Sequence, residues 1–155
     1  MKINNPEEKL RELGFSLPSV AKPVANYVPA VRVGNLVFIS GQGPVENGQY
    51  KYTGKLGKDL TLEEGYEAAK VVALNCISVL KQEIGDLSKL RRIVKLLAWV
   101  NSAPGFNQQP LVINGASDLL VKVFGEKGKH ARSAIAANEL PFDIAVEIEM
   151  IAEVE

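Results

Sequence analysis

From Ile144 to Val154 apolar and polar side chains alternate almost without a break. Ile144, Val146, Ile148, Met150, Ala152 and Val154 fall on one face of an extended chain, and Ala145, Glu147, Glu149, Ile151 and Glu153 on the other, because successive strand side chains point to opposite sides. The pattern predicts a strand with a core face and a partly acidic face. Just upstream, Arg132 leads a run of small residues, Ser133-Ala134-Ile135-Ala136-Ala137. It reads as a second strand whose short side chains leave room for something else to pack there. The two strands are expected to pair as a hairpin across a short loop.

The rest of the chain supplies a helix-rich frame. Asn5-Pro6-Glu7-Glu8 joins an N-cap, a first-turn proline and first-turn acids, and predicts a short helix that ends at Gly14, with Leu10 and Leu13 free to pin it down. Pro18 and Pro23 keep the next stretch a loop. Tyr27–Val33 reads as a strand with an edge or bulge at Pro29. Gly34-Asn35 reads as a hairpin turn, and Leu36–Ser40 as a strand running into Gly41-Gln42-Gly43-Pro44. Lys51-Tyr52-Thr53 is a candidate short strand inside a glycine-rich loop. Thr61 and Glu64 form a capping box, and apolar residues at 62, 66, 69, 73, 77, 80 and 84 predict a long amphipathic helix ending at Gly85. Leu90–Val100 is β-branched, aromatic and apolar, hence a buried strand. Asn101–Gln109 is a loop, and Pro110–Phe124 a second long helix.

The order is helix, β, β, helix, β, helix, β, β. It predicts an α+β chain, a single domain over 1–155, in which two long helices cover one face of a mixed, mostly antiparallel sheet and an extra helix precedes them. The opposite face, with Trp99, the small residues after Arg132 and the acids of the last strand, is left for a partner, most simply another copy of the chain.

Composition narrows the function classes. Lys plus Arg and Asp plus Glu both number 18, so no basic excess drives binding to phosphate backbones, and nucleic acid is an unfavoured partner. The lone Cys76 excludes an internal disulfide and fits a reducing compartment. With one histidine, His130, it cannot build a His/Cys zinc site. No segment has the apolar length of a membrane helix, and the polar start MKINNPEEKL is no signal peptide. A cytoplasmic protein is expected.

Arg132 is the leading candidate for chemistry. Its planar fork matches a carboxylate in bidentate fashion, although a surface salt bridge would use the same residue. Glu147 and Glu149 share a strand face, where paired carboxylates raise one pKa and supply an acid or base; a solvated face is the alternative. A hairpin register sets Glu147 several residues from the partner of Arg132, so the two meet across chains or not at all. Ser40-Gly41-Gln42 offers strand-end amides to an anion, or is a plain turn. Tyr27 either donates its phenol to a ligand or packs its ring at a sheet edge. Cys76 reads as core and His130 as solvent-exposed, and no base beside Ser133 supports a serine triad.

Taken in order, Tyr27, GNLVFISGQGPV, the capped helix from Thr61, LRRIVKLLAWV, Asn114, ARSAI, LP and VEIEMIAEV resemble the RidA (YjgF) family, also known as L-PSP endoribonucleases. The likeness covers about Tyr27 to Val154. It implies a chorismate-mutase-like fold and a homotrimer with ligand clefts between subunits. It also implies hydrolysis of reactive 2-imino and 2-enamino acids to 2-keto acids and ammonia, with no metal or organic cofactor. By the same resemblance Arg132 grips the substrate carboxylate, Glu147 positions or activates water, and Tyr27, Ser40, Gly41 and Asn114 line the cleft. The chain departs from the deaminases at Ala134, where they often carry Cys, and in its longer N-terminal helix and 101–109 loop, features of a longer branch. A non-catalytic protein binding small carboxylates in the same clefts is the alternative.

Overall fold

The computed structural model describes residues 5–155; the expectation for 1–4, a polar start without a leader, lies outside them. Helix α1 (Pro6–Glu12) is capped by Asn5, whose Oδ1 accepts from the Glu7 amide. Leu10 on its inner face is buried. Strands β1 (Ala30–Val33) and β2 (Leu36–Gln42) form an antiparallel hairpin at the sheet edge. The expected strand from Tyr27 begins only at Ala30, so Tyr27 and Pro29 stay in the preceding loop. The expected strand at Lys51-Tyr52-Thr53 is replaced by a two-stranded hairpin, β3 (Val45–Glu46) and β4 (Gln49–Tyr50). Tyr52 takes a left-handed φ of 56°, which a strand does not accommodate.

Helix α2 (Leu62–Ile84) starts at the reciprocal Thr61–Glu64 capping box and stops at Gly85, φ 81°. Helix α3 runs Gln109–Phe124. The two helices cross so closely that a Cβ on Gly115 would lie 2.0 Å from the Tyr66 carbonyl oxygen. Only glycine permits that approach. Both helices lie on one face of a five-stranded sheet ordered β1-β2-β7-β5-β6, with β5 at Leu90–Asn101, β6 at Ala131–Ala137 and β7 at Val146–Val154.

The last two strands form, but not as a hairpin. β5 lies between them, antiparallel to β7 and parallel to β6. The connection from Asn138 to Ala145 carries a proline and a turn at Pro141–Asp143 instead of the tight two-residue turn a hairpin uses. It is long enough to step over one strand, about 10 Å across the sheet. The parallel partner is reached through α3, a crossover of the kind parallel strands require.

The β7 alternation holds. Val146, Ile148, Met150, Ala152 and Val154 are at most 1% exposed beneath the helices, and the acids take the other face. Ala145, expected on the acidic face, precedes β7 and is fully buried. Cys76 is core, and burial pushes its thiol up to about 12. Among the described residues no helix is long and apolar enough to cross a membrane.

Candidate functional site

The register divides the candidate residues between the two faces of the sheet. Glu147 pairs with Trp99, which is half-buried on the face away from the helices. Arg132 pairs with Leu96, which is 1% exposed under the helices. Within one chain the two side chains therefore point to opposite sides, with β5 between their strands.

Glu147 sits where β2 bulges. The β2–β7 register shifts between Ile39 and Gln42, and Gly41 falls in the shift. A Cβ there would come 3.1 Å from the Glu147 Cδ, so the missing side chain makes room for the carboxyl group. Burial first, and the neighbouring Glu149 charge second, hold this carboxyl above the usual glutamate range. Tyr27, 51% exposed, lines the same hollow of about 250 Å³. The loop bearing Tyr27 is tied down by Ser40, whose Oγ donates to the Val28 carbonyl at 2.8 Å and whose amide donates to Pro29 at 2.9 Å. Ser40 thus fixes the wall, and its amide is not free for an anion as expected. From behind, the buried Asn75 amide donates to the Gly43 and Val45 carbonyls and holds the bend that leads out of β2.

Arg132 lies against α3. Its Nη2 donates to the Pro110 carbonyl at 3.3 Å and its Nη1 to the Ser117 Oγ at 3.1 Å. Pro110 and Ser117 are two turns apart on α3; Asn114 lies between them in sequence and lines the groove towards α2 with Tyr66 and Asp118. The chain of hydrogen bonds continues into His130. Ser117 Oγ lies 3.0 Å from His130 Nε2, and Nδ1 lies 2.6 Å from the Gly128 carbonyl. A carbonyl only accepts, so Nδ1 carries the proton and Nε2 accepts from Ser117. His130 is half-buried, not solvent-exposed as its Lys-Gly-Lys-His setting indicates. Burial, and next the Arg132 cation, lower its pKa against the opposing hydrogen bond to Gly128.

Ser117 and His130 had no signal in local sequence, because the contact joins α3 to the strand entry. The i, i+3 spacing of Asn114 and Ser117 on the polar side of α3 was the available clue. The sequence candidates thus do not gather in one place: Tyr27, Gly41 and Glu147 share one hollow, Arg132 lies against α3 on the other face, and Asn114, also on α3, lines a groove with Tyr66 and Asp118. No group of three or more His, Cys, Asp or Glu residues is placed to hold a metal among the described residues.

Comparison with known proteins gives a consistent picture. Residues 7–154 match the family described as "YjgF/chorismate_mutase-like, putative endoribonuclease". Protein TCP17 of Trypanosoma cruzi is 45% identical over 145 residues, 93% of this chain and 91% of that protein. The crystal structure of Atu1372 from Agrobacterium tumefaciens, a protein of unknown function, is similar at TM-score 0.92 and 46% identity, covering 97% of this chain and 92% of the other. A Shewanella oneidensis structure described in the same endoribonuclease terms as the family is similar at TM-score 0.95 and 38% identity, covering 97% and 100% of the two chains.

Proposed function

Because the chain belongs to the YjgF/chorismate-mutase-like family, we propose that it hydrolyses small 2-imino and 2-enamino acids to 2-keto acids and ammonia. The observation that carries this reading is Glu147, a half-buried carboxyl with a raised pKa, facing a hollow sized for a small molecule. A carboxyl poised nearer neutrality is suited to exchanging protons with water. Water adds to the carbon of the C=N bond while Glu147 takes one of its protons. That proton passes to the imine nitrogen to give the carbinolamine, whose hydroxyl proton Glu147 then carries to the amine as the carbonyl forms, the C–N bond breaks and ammonia leaves. The imine is already electrophilic, so the step runs on proton transfer and positioning alone.

Arg132 grips the substrate carboxylate through its fork, with Ser117 and Pro110 holding the guanidinium. Since Arg132 and Glu147 face opposite sides within a chain, the working cleft takes Glu147, Gly41 and Tyr27 from one subunit and Arg132 from the next. This requires a closed ring of copies, and a homotrimer is the assembly we propose. The uncovered sheet face supports it: Val31, Phe38 and Ile135 are 51%, 41% and 45% exposed, an apolar surface that a neighbour would bury.

The test generates imines in situ with an amino-acid oxidase and follows keto-acid release. Wild type accelerates release; Arg132→Ala and Glu147→Gln do not. Stabilisation by keto acids without any acceleration would convert the reading to a carboxylate-binding protein. Light scattering on the eluting species is expected to give about three times the 16.8 kDa chain; a stable monomer would remove the shared cleft.

A further inference from the structure

The hollow beside Glu147 has a rim that the reaction itself does not require. The rings of Tyr50, from β4, and Phe142, from the loop before β7, stack with centroids 4.9 Å apart and planes 17° from parallel. Both rings line the hollow, yet they stay 44% and 60% exposed. They are therefore not core residues, and their apolar area lies open at the mouth. Pro23, Val24, Pro141 and Ile144 extend the same apolar wall.

The backbone that presents Phe142 is strained. Phe142 and Asp143 follow each other at φ 58° and 56°, a left-handed pair that glycine or asparagine would adopt more readily. Such backbone persists only where its surroundings over-determine it, and it clusters at ligand sites. Here the surroundings do so. The fully buried Asn101 donates to Asp143 Oδ1 at 3.1 Å and to the Ile144 carbonyl at 3.2 Å. Lys55 Nζ donates to the Asn101 Oδ1 at 2.9 Å, and the Gly54 amide donates to the Asp143 carbonyl at 2.7 Å. A bulky aromatic is thus fixed, against backbone preference, where it meets whatever enters.

Resting on the imine-hydrolysis reading, we propose that the Tyr50–Phe142 pair selects the substrate side chain, and that the preferred substrates are 2-imino acids carrying an aromatic ring. At about 250 Å³ the hollow falls below the roughly 300–1,000 Å³ of clefts for drug-sized ligands. That suits an amino-acid-sized molecule. With its imine carbon at Glu147 and its carboxylate at a guanidinium, such a substrate has only its side chain left for the rim. A planar ring continues the offset stack that Tyr50 and Phe142 begin, whereas a methyl group reaches neither ring.

The test compares imines made in situ from L-phenylalanine, L-leucine and L-alanine. Wild type is expected to favour the phenylalanine imine over the alanine imine by about tenfold in kcat/KM, the scale of one good aromatic contact. Phe142→Ala and Tyr50→Ala are expected to erase that ratio, and Phe142→Tyr to keep it. A wild type without the preference, or variants that slow all three imines equally, would overturn the proposal. If no imine is turned over, the deaminase reading fails, and the rim is judged separately by thermal shift. Greater stabilisation by phenylpyruvate than by pyruvate, lost in Phe142→Ala, would uphold an aromatic site; equal shifts would overturn it.

Discussion

Glu147 and Arg132 lie on strands separated only by β5, yet they are held by unlike means. Glu147 depends on sheet geometry: a bulge in β2, a glycine in that bulge, and a loop pinned by Ser40. Its special property, a raised pKa, comes from burial and a neighbouring like charge. Arg132 depends on helix geometry: a stripe of α3 supplies a carbonyl and a hydroxyl at the right height, and His130 fixes the direction of that hydroxyl. One half is a hollow holding a half-buried carboxyl with a raised pKa, and the other is a preset cation. Their placement on opposite faces makes each useless for the proposed reaction without a second copy.

The halves are separated most sharply by removing their central groups. Glu147→Gln is expected to lower kcat by about 10²–10⁴-fold, the range of general acid–base catalysis, with KM little changed. Arg132→Ala is expected to act mainly through KM, because it removes binding of the ground-state carboxylate. If both variants alter the same parameter, the division of labour is wrong. Gly115→Val is the next largest. Its side chain would press on the Tyr66 carbonyl, already 2.0 Å from an added Cβ, and part α3 from α2. A loss of about 3 kcal/mol or more in urea unfolding is expected, at or above the usual overpacking cost. It damages the Arg132 half first, since Pro110 and Ser117 move with α3.

Ser117→Ala is gentler. It removes one hydrogen bond to Arg132, worth about 1 kcal/mol, so KM should rise several-fold while kcat holds. An unchanged KM would mean that the α3 stripe does not orient the guanidinium. The smallest effect is in pH. Glu147 is raised above the ordinary glutamate range, so the folded chain holds its proton more tightly than the unfolded chain does. Stability from this group is full below the ordinary glutamate pKa and falls as pH rises through the raised value. Turnover, which needs the ionised base, rises over the same window. Glu149→Gln removes the lesser cause of the shift, so the acid limb of kcat against pH should move to lower pH. Burial keeps it above the ordinary value.

Much of the fold was legible because local signals agreed. The Thr61–Glu64 capping box, the 3.6-residue spacing in α2 and the alternation from Val146 to Val154 each matched a single element. The family resemblance is upheld over residues 7–154. Strand order was not legible. The hairpin expected of β6 and β7 does not form, because α3 carries the chain back alongside β5, which then pairs with both strands. That one insertion decides which face Arg132 uses. It also hid the Ser117–His130 contact and the Asn101 anchor beneath Phe142. Both join residues distant in sequence, and both are visible only once the sheet is ordered.

The central claim, that the site is completed between subunits, is tested most directly by mixing two impaired variants. Arg132→Ala and Glu147→Gln chains, each nearly inactive at substrate concentrations well below the KM of Arg132→Ala, are co-refolded in equal amounts and assayed for imine hydrolysis at such a concentration. If each cleft takes its arginine from one chain and its glutamate from the next, random assembly leaves about a quarter of the clefts with both groups intact, by the combinatorics of a closed ring. Activity should then return to about that fraction of wild type. If both groups served within one chain, no cleft in the mixture would be whole, and a mixture as inactive as its components would contradict the account.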